Sequence, residues 1–138
     1  MIALDTNILV RGIVEEEASD EKTARETEIA RTLLSSGQEF YIPVSVVQET
    51  EWVLRACYGY GTPVVARALR QLLATEGFTL DRPAAVSQAV EWHALGMDFS
   101  DALHLALSAP CKEFATFDRN FAKRAKHLEL RPPVFAPA

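Results

Sequence analysis

Apolar and polar positions fall in blocks along this chain, and the blocks predict strands alternating with helices. Met1-Ile2-Ala3-Leu4 is a four-residue apolar run that ends at Asp5, with Thr6 and Asn7 after it. It reads as a buried central strand that delivers a carboxylate to the edge of a sheet, although four residues by themselves equally suit a buried helix. From Thr6 to Val14 the apolar residues Ile8, Leu9 and Ile13 keep helical spacing. A second helix starts at a Ser19 or Asp20 cap and runs to about Ser36, with Ile29, Leu33 and Leu34 inward and Gly37 ending it. Phe40 to Val44 forms a second short strand, with Pro43 near its end because proline cannot donate to a ladder.

Ser45 followed by Gln48 is a capping-box pattern, and it opens a helix to about Tyr58, before Gly59 and Gly61. Thr62-Pro63 caps the next helix, which runs to about Glu76 and stops at Gly77. Phe78 to Leu80 is a third strand, Pro83 opens a helix ending near Gly96, and Asp98 caps a helix from Phe99 to about Ala109. Phe114 to Phe117 is a fourth strand and runs into Asp118. A short basic helix follows from Arg119 to Lys126, and Leu128 to Arg131 is a last edge strand. This succession predicts an α/β fold, three-layer α/β/α with a central parallel sheet covered on both faces. A chain of 138 residues suits a single domain over residues 1–138. In open sheets of this kind sites form outside the carboxyl ends of the strands, where Asp5 and Asp118 fall.

Composition narrows the class. Apolar residues make up 49% and charged residues 24%, which is a globular composition, and no apolar run approaches the roughly 18 residues of a membrane span. The first residues lack a basic region and a cleavage site, so the expected location is the cytoplasm. Cys57 and Cys111 form no C-x-x-C unit and are expected to be reduced, mostly buried thiols. The net charge of −5 argues against a generic nucleic-acid binder unless the acidic residues have another use. Part of the excess lies in Glu15-Glu16-Glu17 and Asp20-Glu21, expected as a solvated loop and helix start.

The remaining carboxylates are weighed by position. On the helix after Ser45, the residues Val46, Val47, Thr50, Val53, Leu54 and Cys57 form an apolar stripe at 100° per residue. Glu51 falls opposite that stripe, four residues before Arg55, as an exposed surface pair. Glu49 falls at its edge and reads equally as a rim glutamate or a site carboxylate. The helix from Phe99 is apolar almost all round, with Asp101, His104 and Ser108 as its narrow polar stripe. So apolar a helix is largely buried, which favours a site role for Asp101. Asp98 and Asp118 each read equally as a helix N-cap or a site residue. His104 reads as a satisfied neighbour rather than a ligand.

Asp5, Glu49, Asp101 and Asp118 all fall at strand ends or in the first turns that follow. Four carboxylates in one cleft raise one another's pKa values and require cations. Oxygen donors without a Cys or His cluster point to Mg²⁺ or Mn²⁺. Two such ions would cancel most of the net charge and are a standard device for phosphodiester cleavage. No Ser-His-Asp set, phosphate loop or dinucleotide fingerprint is present.

Four stretches then carry a resemblance. Ile2-Ala3-Leu4-Asp5-Thr6-Asn7 resembles the opening of PIN-domain nucleases. Glu49-Thr50-Glu51-Trp52-Val53-Leu54-Arg55 is similar to the E-x-x-W-V-L helix of the VapC group, and Asp98-Phe99-Ser100-Asp101-Ala102-Leu103-His104 to its D-F-x-D-A-L helix. Ala115-Thr116-Phe117-Asp118-Arg119-Asn120-Phe121 is similar to its T-F-D-x-x-F segment. The resemblance implies a ribonuclease toxin of a type II toxin–antitoxin pair, with Mg²⁺ (or Mn²⁺) held by Asp5, Glu49, Asp101 and Asp118. Asp98 matches a less certain acidic position, and Thr6, Asn7 and Thr116 would orient the carboxylates. It also implies a homodimer, a cognate VapB-like antitoxin, and an RNA substrate of the tRNA or ribosomal class. Arg11, Arg119, Lys123 and Arg124, with Lys126 beside them, are expected to contact RNA phosphates. Two alternatives stand beside this reading. One is a haloacid-dehalogenase-like phosphotransfer enzyme, although Asp5-Thr6-Asn7 lacks the second aspartate of D-x-D. The other is a non-catalytic PIN scaffold that binds RNA or protein.

Overall fold

The computed structural model describes residues 1–15 and 20–138. Ser19, Glu16 and Glu17 lie outside the described residues, while Glu15 is exposed. The chain packs as two compact units, Met1–Pro83 and Ala84–Ala138.

The first unit contains β1 (Ile2–Ala3), α1 (Thr6–Ile13), α2 (Glu21–Leu34), β2 (Phe40–Ile42), α3 (Val44–Ala56), α4 (Thr62–Ala74) and β3 (Phe78–Leu80). Its strands pair in the order β1-β2-β3, all parallel, with Ile2 opposite Phe40 and Phe40 opposite Phe78. Parallel neighbours need long crossovers, and two helices supply each one. α1 packs on α2 and α3, α3 on α4, and α4 on β3. Leu9, Phe40, Ile42, Val47, Leu54 and Leu69 are almost wholly withdrawn from solvent. Gly12 allows the close approach of α1 to α2, because a Cβ there would collide with Leu34 Cδ1.

The second unit holds α5 (Pro83–Ala94, starting at the boundary), α6 (Phe99–Leu107), β4 (Phe114–Ala115), α7 (Arg119–His127) and β5 (Val134–Phe135). β4 and β5 pair in parallel, Phe114 opposite Val134. Val86, Val90, Phe99, Leu103 and Leu105 form its buried core. The His93 and Phe99 rings meet edge to face at 5.6 Å, and His93 Nδ1 is 2.7 Å from the Met97 carbonyl oxygen. Every strand pair described is parallel and helices separate the strands, as the α/β expectation requires.

Several local expectations are corrected. β1 is not central: it stands at the edge of its three-stranded sheet with β2 in the middle, and Ile2 is 37% exposed. Ile29 faces solvent, and Ala30 is the residue α2 buries. The Ser45 capping box does not form. α3 starts two residues earlier, with Pro43 at the N-cap and its carbonyl accepting from the Val46 and Val47 amides at 3.0 and 3.1 Å. α4 shifts likewise, with Gly61 rather than Thr62 at its N-cap. The last strand is not Leu128 to Arg131. Those residues close α7, where the Leu128 and Leu130 amides bond Arg124 and Ala125 carbonyls and Glu129 turns left-handed at φ 56°. The strand forms further on, at Val134–Phe135. Both cysteines are exposed rather than buried.

Candidate active-site carboxylates

Each unit carries a carboxylate group. In the first, the apolar run ends at Leu4, whose amide still bonds the Tyr41 carbonyl at 3.0 Å as the last rung of the β1–β2 ladder. Asp5 then leaves the sheet in extended backbone and becomes the N-cap of α1. Its Oδ1 accepts from the Thr6 amide at 2.7 Å. The Thr6 hydroxyl, buried at the start of α1, donates in turn to Glu49 Oε1 on α3. One threonine thus joins the two carboxylates expected from the sequence, through its amide on one side and its hydroxyl on the other. Asn7 and Arg11 line the same cavity of about 520 Å³. Asn7 makes no hydrogen bond to either carboxylate among the described residues.

Glu49 and Glu51 exchange the roles their helix pattern assigned. The buried residues of α3 are Val47, Thr50, Glu51 and Leu54. That stripe is turned by about 50° from the one marked by apolar residues, taking 100° per residue. Glu49 is therefore exposed, at the rim of the cavity. The Glu51 side chain is only 2% exposed, and its Oε2 accepts from Arg55 Nε at 2.9 Å. The i,i+4 pair exists as expected, but it is a buried carboxylate rather than a surface pair. Trp52 of the same turn is 53% exposed. Hydropathy alone ranks a glutamate outside and a tryptophan inside, so no signal in this helix reveals the rotation.

In the second unit, Asp98 is the N-cap of α6 and its Oδ1 accepts from the Asp101 amide at 3.0 Å. Asp101 is half-buried on the polar stripe. Burial pushes its carboxyl up from the usual carboxylate value, the nearby charges of Asp98 and Asp118 push it further, and His104 opposes them. Asp118 is the N-cap of α7, with Oδ1 accepting from the Phe121 amide at 3.0 Å. Thr116 serves Asp118 through the backbone: its hydroxyl accepts from the Asp118 amide at 3.0 Å. Asp98 and Asp118 thus both act electrically on Asp101, and each of them also caps a helix. Cap and site are not exclusive roles, because an N-cap uses one carboxylate oxygen and leaves the other free.

The Asp101 shift has a thermodynamic consequence. A carboxyl whose folded pKa is raised disfavours the folded state wherever it is ionised, and the penalty is absent below the ordinary value of 3.8. Asp101→Asn is therefore expected to raise the thermal midpoint at pH 7 by about 2 °C. That gain should vanish as pH falls through the raised pKa toward 3.8. Circular-dichroism melts of both proteins between pH 3 and pH 8 test this. A destabilised variant at pH 7 would contradict the crowding of Asp101.

The basic residues divide. Arg119 and Lys123 are exposed on α7. Arg124, also exposed, donates from Nη1 to the Gly96 carbonyl and so closes the end of α5. Lys123, Arg124, Lys126 and His127 border a depression of about 900 Å³ with Leu95. Arg11 is spent in part on Glu26, at 3.3 Å across α1 and α2.

Oxygen donors dominate both groups, which suits a hard divalent cation. Among the described residues no three His, Cys, Asp or Glu side chains are gathered into a ready-made ion cage. No described helix is long and apolar enough to cross a membrane. Compared with known proteins, residues 2–127 match the family model described as PIN domain, through both units. No curated protein and no solved structure gives a significant match.

Proposed function

The chain belongs to the PIN domain family, whose members are typically nucleases, and on that premise we propose a Mg²⁺- or Mn²⁺-dependent endoribonuclease that works through Asp5, Glu49, Asp101 and Asp118. The observation that carries this reading is the Thr6 link, which presets two carboxylates from different helices. The crowding around Asp101 supports it, since neighbouring carboxylates that push its carboxyl up favour a cation among them. Asp5, Glu49 and Asp101 would hold the ion, with Asp118 as a fourth ligand and Asp98 adding charge beside its cap role. A divalent ion bound there supplies Lewis acidity at the scissile phosphate and makes water a stronger nucleophile. The chain's own residues set the geometry: Thr6 orients Glu49, Thr116 fixes the Asp118 backbone, and Arg119 and Lys123 attract the RNA backbone.

Finer parts of the proposal rest on the four motifs. They support a VapC-type toxin that acts on a structured tRNA or ribosomal RNA as a homodimer and is inhibited by a VapB-like antitoxin. A fluorogenic RNA incubated with Mn²⁺ or with EDTA tests the core reading. Cleavage is expected with Mn²⁺ alone, and a folded protein inactive in both leaves the non-catalytic scaffold as the better account. For the toxin role, the neighbouring reading frame should encode a short protein with a DNA-binding N-terminus and a basic, apolar tail.

Thr6→Val keeps the side-chain shape and deletes the donor to Glu49. Loss of a group that orients a metal ligand typically costs about 10- to 100-fold in metal affinity or activity. The Mn²⁺ concentration for half-maximal cleavage is expected to rise on that scale. An unchanged Mn²⁺ titration would remove Thr6 from the site.

A further inference from the structure

α3 ends in a segment that builds an aromatic wall onto the Asp5–Glu49 cavity. The amides of Tyr58, Gly59 and Tyr60 turn back to the carbonyls of Val53, Arg55 and Leu54 at 3.3, 3.1 and 3.1 Å. Gly59 lies at φ 71°, the left-handed conformation that glycine adopts without a steric penalty. Tyr58 and Tyr60 flank this residue. Their rings stack, with centroids 5.9 Å apart and planes 8° from parallel, in the offset arrangement aromatic pairs prefer. The backbone hydrogen bonds hold the segment, so the stack is set before any ligand arrives.

Tyr58 is the member of this pair that lines the cavity with Asp5, Thr6, Glu49 and Arg11. Tyr60 stands behind it, on the apolar groove between α1, α3 and α4. The cavity is therefore divided: an aromatic and aliphatic side from Tyr58 and Val53, a carboxylate side, and one guanidinium. A nucleotide is divided in the same way, into a planar base and a charged phosphate. The volume of about 520 Å³ falls in the range of roughly 300–1,000 Å³ typical of small-ligand sites. Base stacking on an aromatic ring needs an unstacked base, which single strands and loops provide.

We propose that Tyr58, backed by Tyr60, is a stacking platform that holds one unpaired RNA base beside Asp5 and Glu49, and so selects single-stranded or looped RNA over continuous duplex. The proposal rests on the nuclease reading for its substrate. Tyr58 positions RNA and takes no proton or phosphate itself.

The test uses a single-stranded oligoribonucleotide carrying one 2-aminopurine, whose fluorescence falls on stacking, in EDTA at low salt. The wild-type protein is expected to quench it and to bind it more tightly than a blunt duplex of the same sequence. Tyr58→Leu, which keeps an apolar side chain without a π face, is expected to lose the quenching and to bind about tenfold more weakly, the scale of one lost base–aromatic stack. Tyr58→Phe is expected to restore both. In cleavage assays with Mn²⁺ the Tyr58→Leu defect should fall on KM more than on kcat. Wild-type protein that does not quench the probe, or Tyr58→Leu that quenches it fully, overturns the proposal. Protein that quenches the probe but cleaves no RNA with Mn²⁺ leaves the platform standing and defeats the nuclease reading instead.

Discussion

Asp5→Asn is expected to reduce Mn²⁺-dependent RNA cleavage by about 10²- to 10³-fold, the loss that follows removal of one strongly contributing electrostatic group. The fold should survive. Asp5 is exposed, and its structural duty is to cap α1 by accepting from the Thr6 amide at 2.7 Å. An asparagine Oδ1 can accept the same bond, and asparagine is as good an N-cap as aspartate. The substitution therefore separates capping from charge. Initial rates on a fluorogenic RNA measure the loss, and a melt of the same sample measures the fold. Full activity in a folded variant would take Asp5 out of the mechanism.

Glu51→Ala should do the reverse and unfold the protein more readily without touching the chemistry. The Glu51 side chain is 2% exposed and its bond to Arg55 is 2.9 Å long. Deleting it loses a hydrogen bond to a charged group, about 1.5–3 kcal/mol, and leaves a cavity. The Arg55 side chain is 48% exposed, so the cation left behind can be hydrated. That spares part of the 3–5 kcal/mol expected when a fully buried pair is broken. A net loss of about 3 kcal/mol is expected, read from a shifted denaturation midpoint at constant slope. Glu49→Gln, two residues away but exposed at the cavity rim, should leave that midpoint nearly in place and reduce cleavage. If Glu51→Ala unfolds like wild type, the buried pair is not stabilising the first unit.

These two glutamates show where local pattern stops being informative. The pattern of α3 is an average over apolar residues, and it points the helix about 50° away from its buried stripe. Val46, Val53 and Cys57 pulled the inferred face outward because all three are hydrophobic, yet Val46 and Val53 are only half-buried and Cys57 is exposed. Ile29 misled the reading of α2 for the same reason. Caps were legible where the capping atom is a side chain. Asp20, Asp98 and Asp118 each accept from an amide three residues on, as their positions suggested. Ser45 and Thr62 failed because Pro43 and Gly61 cap their helices two residues and one residue earlier, with no side-chain hydrogen bond at either cap.

The sequence by itself determined the alternation of strands and helices, the carboxylates at strand ends and helix starts, and the family. Those depend on hydrophobic period, cap chemistry and ordered motifs, all of which are local or collinear with the chain. The edge position of β1, the burial of Glu51, the Thr6 bridge from Asp5 to Glu49 and the Tyr58–Tyr60 stack were decided only by tertiary structure. The bridge joins residues 43 positions apart. The burial of Glu51 depends on how α3 is rotated against its neighbours. Such features are selected by how packed elements satisfy one another's polar groups, and no window along a single element contains that information.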